Sequence, residues 1–161
     1  MVTTTTSPRD VAARVTDPEL PVLTVDDLGV LRDVAVDAGG VVEVTITPTY
    51  SGCPAMDAIR SDIETALHDA GYADVRVRTV LRPAWSTDWI SAEGRRKLEE
   101  FGIAPPSPVR AGGPVPLALG VRCPRCGSPD TEMTSRFGST ACKALYVCRA
   151  CAEPFDAVKA L

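Results

Sequence analysis

Apolar residues recur every three or four positions in one long stretch. Met56, Ile59, Ile63, Ala66, Leu67 and Ala70 line one face, and Asp57, Arg60, Asp62, Glu64 and Asp69 fill the other. That period predicts an amphipathic helix, and Gly71 is a natural C-terminal stop for it. Upstream the period changes to two. Val42, Val44 and Ile46 alternate with Glu43 and Thr45, and the Val-rich run Val30 to Asp37 precedes them across the turn residues Ala38-Gly39-Gly40. The pair reads as a β-hairpin with one wet face. Val75 to Leu81 alternates with Arg76 and Arg78 and reads as a third strand.

Two shorter helices flank this set. Ser7 can cap the first, Pro8 suits its first helical position, Asp10 completes a capping-box pattern, and Val11 and Val15 share a face. It must stop before Pro18, because the residue preceding a proline is pushed toward extended backbone. The second runs from about Ser91 to Phe101 and closes at Gly102. The order helix, hairpin, helix, strand, helix predicts a small two-layer α+β domain, helices on a short sheet.

After Gly102 the pattern breaks. Pro105, Pro106, Pro108, Pro114 and Pro116 crowd into one stretch with Gly112 and Gly113, which cannot hold a helix and has little to bury. The expected organisation is an α+β domain over 1–102, a linker over 103–116 and a small module over 117–161. Five of the six cysteines follow the linker and one, Cys53, precedes it. In the tail Met133 to Thr140, Ala144 to Val147 and Pro154 to Leu161 suit short antiparallel strands.

Composition narrows the classes. The chain has 161 residues, is 45% hydrophobic and carries a net charge of −4, so it can build a core and is not a nucleic-acid binder working by bulk charge. No apolar run approaches a membrane span, and Met1 to Pro8 has neither the basic nor the apolar part of a signal peptide. The expected address is the cytoplasm, where cysteines serve metal or redox chemistry rather than disulfides.

Cys53 stands between Gly52 and Pro54. With Pro54 in the first turn of the long helix, Cys53 falls at the N-cap, where free N–H groups and the helix dipole favour thiolate over thiol. Gly52 would let another group approach. The sulfur is then a nucleophile or a metal ligand; the alternative is a small cysteine packed at a strand–helix junction. His68, the single histidine, lies some four turns away at about 1.5 Å per residue, on the polar flank, so it supplies no catalytic pair.

The tail carries Cys123-Pro124-Arg125-Cys126 and Cys148-Arg149-Ala150-Cys151. Two such knuckles about twenty residues apart predict a four-cysteine tetrahedral site in a zinc ribbon. Residues 117–161 are too few to bury a secure core unaided, and a structural zinc ion supplies on the order of 10 kcal/mol. Such a closed site is structural, one ion per chain; iron or an iron–sulfur cluster could use the same ligands. Cys142 is left over, as a buried small residue or an auxiliary thiol, with burial preferred. Few aromatic platforms and the acidic chain favour protein docking over nucleic acid for the ribbon.

Asp17-Pro18-Glu19, Asp27-Leu28-Gly29, Thr49-x-x-Gly52-Cys53-Pro54 and the helix after them resemble the SufT-like family of iron–sulfur cluster assembly proteins, over about Ser7 to Trp89. Trp85-Ser86-Thr87-Asp88-Trp89-Ile90, the Pro-rich linker and Phe137-Gly138-Ser139-Thr140-Ala141-Cys142-Lys143-Ala144-Leu145 extend the resemblance to the PaaD (PaaJ) family of accessory proteins of the phenylacetyl-CoA epoxidase in aerobic phenylacetate degradation. The resemblance implies assembly or maturation of an iron or iron–sulfur centre rather than ring epoxidation itself. Cys53 matches the family's reactive cysteine and would hold iron or a cluster transiently; Asp17, Glu19, Asp27 and Thr49 match motif positions around it. One thiolate is a poor permanent cluster site, so either an epoxidase component, an assembly protein or a second copy in a homodimer would supply more sulfur, or the cluster only passes through. Two other readings stand: a stable non-catalytic subunit of the oxygenase, and an enzyme using Cys53 as nucleophile, which lacks a credible base.

Overall fold

The computed structural model describes residues 6–109 and 120–161. Met1 to Thr5 lie outside the described residues, as does the expected linker and ribbon start from 110 to 119, with Gly112, Gly113, Pro114, Pro116 and Leu117. The chain divides into two units, Met1–Trp85 and Ser86–Leu161.

The first unit begins with α1 (Pro8–Ala13), capped as expected: Asp10 N donates to Ser7 Oγ at 3.1 Å. The chain then doubles back on itself. Val25 N bonds Val15 O at 2.8 Å and Asp17 N bonds Leu23 O at 3.0 Å, so residues 15–17 run beside 23–25. β1 (Leu31–Val36) and β2 (Val42–Ile46) form the antiparallel hairpin. Asp37 closes its turn, accepting from Gly39 N and Val41 N. α2 (Ala55–Asp69) crosses over to β3 (Val75–Thr79), which pairs parallel with β2, giving the sheet order β1-β2-β3. Ile59, Ile63 and Leu67, one helical face, are buried together with Val42, Val44 and Ile46, one strand face. Both periods read from the sequence thus mark buried faces of the core.

The second unit opens with a short 3₁₀ turn (Thr87–Trp89) and α3 (Ala92–Glu100), whose cap Ser91 accepts from Gly94 N at 2.9 Å. β4 (Thr131–Ser135), β5 (Lys143–Cys148) and β6 (Pro154–Val158) make an antiparallel sheet in the order β4-β5-β6. Ala104 runs parallel beside Ala157, bonded through Ala104 N to Asp156 O and Val158 N to Ala104 O. Arg95 ties α3 to the carbonyls of Thr87 and Pro106. α3 lies in the same unit as the ribbon sheet. β4 also ends earlier than Met133 to Thr140 suggests: it bulges between Met133 and Ser135, and Ser135 Oγ takes up Phe137 N at 3.2 Å. No helix among the described residues is long and apolar enough to cross a membrane.

Candidate functional site

Two cysteine sites stand in the molecule, one in each unit. Cys53 lies in the loop joining β2 to α2, so it sits at the carboxyl end of a parallel strand–helix–strand crossover, where open α/β sheets place their ligands. Its side chain is half-buried, between exposed Gly52 and Pro54. The structure corrects one detail. Pro54, not Cys53, occupies the cap position, with φ −67° and ψ −20°. Cys53 belongs to the preceding turn, its N–H bonded to Tyr50 O, and its own carbonyl accepts from Met56 N at 3.3 Å. Gly52 takes a left-handed backbone, at φ +83°, and a Cβ there would meet nothing of this chain within 4 Å.

The same end of the sheet gathers other motif residues. Leu31 pairs with Ile46, and Thr47 N bonds Val30 O at 2.9 Å, so the Asp27-Leu28-Gly29 turn and the Thr47-to-Cys53 loop extend from neighbouring strand ends. Asp27 is buried and exchanges hydrogen bonds with Thr24: Thr24 N donates to Asp27 Oδ2 and Asp27 N to Thr24 Oγ1, both at 3.0 Å. Trp85 Nε1 donates to Leu28 O at 2.8 Å and holds this turn from behind. Thr49 is half-buried in the loop. Asp17, also buried, accepts from Glu19 N and Leu20 N at 2.8 Å, which makes it the acceptor of the 17–20 turn. Glu19 is half-buried in that turn. His68 is exposed near the far end of α2, its Nδ1 2.9 Å from Tyr72 O.

Sequence reasoning passed over Thr47 and Thr24, and it named Trp85 only as part of a motif, without a partner. Thr47 is buried, and its Oγ1 has no partner among the described residues. Thr24-x-x-Asp27 is a capping-box spacing and was readable; the Trp85 bond to Leu28 joins residues far apart in sequence and was not.

In the second unit the sulfurs of Cys123, Cys126, Cys148 and Cys151 all lie within 4.8 Å of one another. Cys123 and Cys151 are 3.8 Å apart, Cys126 and Cys148 3.6 Å. A tetrahedron with zinc–sulfur bonds of about 2.3 Å has edges of about 3.8 Å, so this spacing fits a single ion of that size. The knuckles are shaped by their own backbone: Gly127 N bonds Cys123 O at 2.8 Å and Ala152 N bonds Cys148 O at 2.9 Å. Burial pushes the Cys148 thiol up, but N–H groups of Cys151 and Ala150 outweigh it and bring the pKa down to about 7. At Cys151 the Glu153 N–H lowers the pKa, yet burial and the three facing sulfurs win and push it to about 12. Only a cation between them lets all four ionise together. Cys142 stands apart, half-buried, its sulfur 3.1 Å from Thr140 Oγ1.

Comparison with known proteins divides the chain similarly. A family model described as "Iron-sulfur cluster assembly protein" matches residues 9–79, and one described as "PaaD zinc beta ribbon domain" matches 112–159. The chain is 46% identical over 149 residues to an Escherichia coli protein named as a putative subunit of the 1,2-phenylacetyl-CoA epoxidase, spanning 92% of this chain and 88% of that one. It is 39% identical over 83 residues to an "Fe-S protein maturation auxiliary factor" of Porphyromonas gingivalis, spanning 51% of this chain and 78% of that one. Among solved structures, the crystal structure of a domain of unknown function, DUF59, from Bacillus anthracis superposes with a TM-score of 0.53 at 29% identity, over 56% of this chain and 87% of that chain.

Proposed function

This chain belongs to the PaaD family, with the E. coli epoxidase protein as its relative, and from that premise we propose that it is a cytoplasmic accessory factor that loads or repairs an iron or iron–sulfur centre of that oxygenase. The observation that carries the reading is Cys53, a half-buried cysteine in the loop at the carboxyl end of β2 in an assembly-type domain. Iron, alone or as a cluster, is the cargo. The Cys53 thiolate takes it in place of a weaker ligand and yields it by ligand exchange to the client's own side chains, with no change in oxidation state. Asp27 and Thr49 flank the path, and Asp17 with Glu19 shapes the neighbouring hairpin. A single protein sulfur suits cargo in passage, since resident clusters take about four protein ligands. The second site holds one zinc ion through Cys123, Cys126, Cys148 and Cys151. Zinc there supplies folding energy, and the ribbon it organises docks on the client.

The test is growth on phenylacetate of an E. coli strain that lacks its own relative and carries this chain. The wild-type chain restores growth; Cys53→Ser does not, although it folds and keeps its zinc. Full growth with Cys53→Ser would remove the role given to the sulfur. The word "subunit" in the relative's name favours a second reading, a fixed non-catalytic component of the oxygenase. Co-purification at a constant ratio with the oxygenase would favour that reading, and a substoichiometric, transient association the first.

A further inference from the structure

One face of the ribbon sheet carries a groove of about 510 Å³ that is open to solvent. Its floor is Ala144 and Ala157, paired across β5 and β6, and two facing alanines leave a depression beside the stacked rings of Tyr146 and Phe155. Pro105 and Pro106 form one wall, Met133 and Phe137 the other. Phe137 is 72% exposed, a large apolar ring left in water.

The loop presenting that ring is pinned. Gly138 lies so close under Asp156 that a Cβ would come within 2.7 Å of the carboxylate oxygen, and its N–H bonds Lys143 O at 2.9 Å. Buried Lys143 faces Asp156 at 3.7 Å, and Lys159 Nζ donates to Ala141 O at 2.8 Å. A groove with such walls needs little ordering to bind.

The charge at its mouth has one sign. Lys159 Nζ stands 4.7 Å above the Phe137 ring. Arg136 is exposed at the rim, and the described residues offer it neither a carboxylate nor a hydrogen bond, whereas Arg9, Arg78, Arg96, Arg125 and Arg149 all pair with acids. No Asp or Glu lines the groove, although the chain is net negative. Residues 110–119 carry one charge, Arg110, of the wrong sign to answer these cations.

We infer that this face docks an extended acidic segment of a partner protein, one that sets a bulky apolar side chain between carboxylates. The apolar side chain fills the depression over Ala144 and Ala157, and the carboxylates meet Arg136 and Lys159. The inference rests on the docking role of the ribbon and not on Cys53.

The experiment is fluorescence anisotropy on the full chain with two labelled peptides. One has a central Leu-Phe flanked by Asp and Glu; the other has Lys in place of every acid. The acidic peptide binds, more weakly at high salt, and about tenfold tighter than its Lys counterpart. Arg136→Glu reverses that preference and Phe137→Ala weakens the acidic peptide about tenfold; both residues are exposed, so both variants keep their zinc. Several outcomes would overturn the inference: equal binding of the two peptides, binding of neither, indifference to Arg136→Glu, or self-association lost in the same variants, which would assign the groove to a second copy. Binding gained only after residues 114–119 are replaced by Gly and Ser would assign it to the chain itself. None of these touches the growth test of Cys53, so the two claims fail separately.

Discussion

The two units use cysteine in opposite ways. In the first, Leu23, Val25, Val42, Val44, Ile46, Ile59, Ile63 and Leu67 are fully buried, and a real apolar core holds the fold. Cys53 is not among these buried residues and is half-buried. In the ribbon the buried cluster is Ala104, Cys123, Cys148, Phe155 and Ala157, so two of its five members are sulfurs of the metal site. There the cysteines are the core. A thiol is available for chemistry where side-chain packing already pays for folding, and is bound up in structure where it does not.

The hardest test of that contrast is to take the metal away. Cys126→Ser, or a strong chelator, should empty the site and abolish hydrogen-exchange protection across β4, β5 and β6, while β1–β3 and α2 keep theirs. Cys126 is the informative ligand because it is exposed, so its loss reads as ligation rather than packing. A ribbon still ordered in chelator would end the contrast. Acid sharpens it. With the Cys148 thiol held near 7 and the Cys151 thiol near 12, zinc must displace protons to bind. Affinity therefore falls as pH is lowered, most steeply below about 7, where Cys148 also takes up its proton. Zinc retention measured against a chelator across that range checks the sign.

The converse perturbation is Ile63→Ala. It should destabilise the first unit by about 2–5 kcal/mol in urea unfolding and leave zinc content at one per chain. Asp17→Ala is milder: two N–H groups, of Glu19 and Leu20, lose their acceptor, at about 1–3 kcal/mol. An exposed control such as Asp62→Ala should stay within about 0.5 kcal/mol. Cys53→Ser should have the smallest effect on stability, also within about 0.5 kcal/mol, because the residue is not among the buried core and the substitution is nearly isosteric. A large loss there would mean that Cys53 is structural after all.

Much of this was legible in the linear pattern. Ser7, Asp37 and Ser91 act through neighbours a few residues away, so their turns and caps are visible in sequence. The face Ile59-Ile63-Leu67 and the alternation Val42-Val44-Ile46 likewise state their own burial. The position of Cys53 was readable only to within one residue, because a Pro can open a helix from the cap as well as from the first turn. The Asp27–Thr24 exchange was readable and passed over; the Trp85 bond to Leu28 was not readable at all.

Sequence alone determined most of the elements, the caps at Ser7 and Ser91 and the paired knuckle spacing of the four cysteines, because each depends on contacts within a turn or on a repeat along one strand or helix. Tertiary structure alone decided that β3 runs parallel to β2, that the Asp27 turn and the Cys53 loop share one end of the sheet, and that Ala144, Ala157 and Phe137 frame a cationic groove. Those outcomes come from pairings between distant residues, and hydrophobic pattern specifies which face is buried but not which partner buries it.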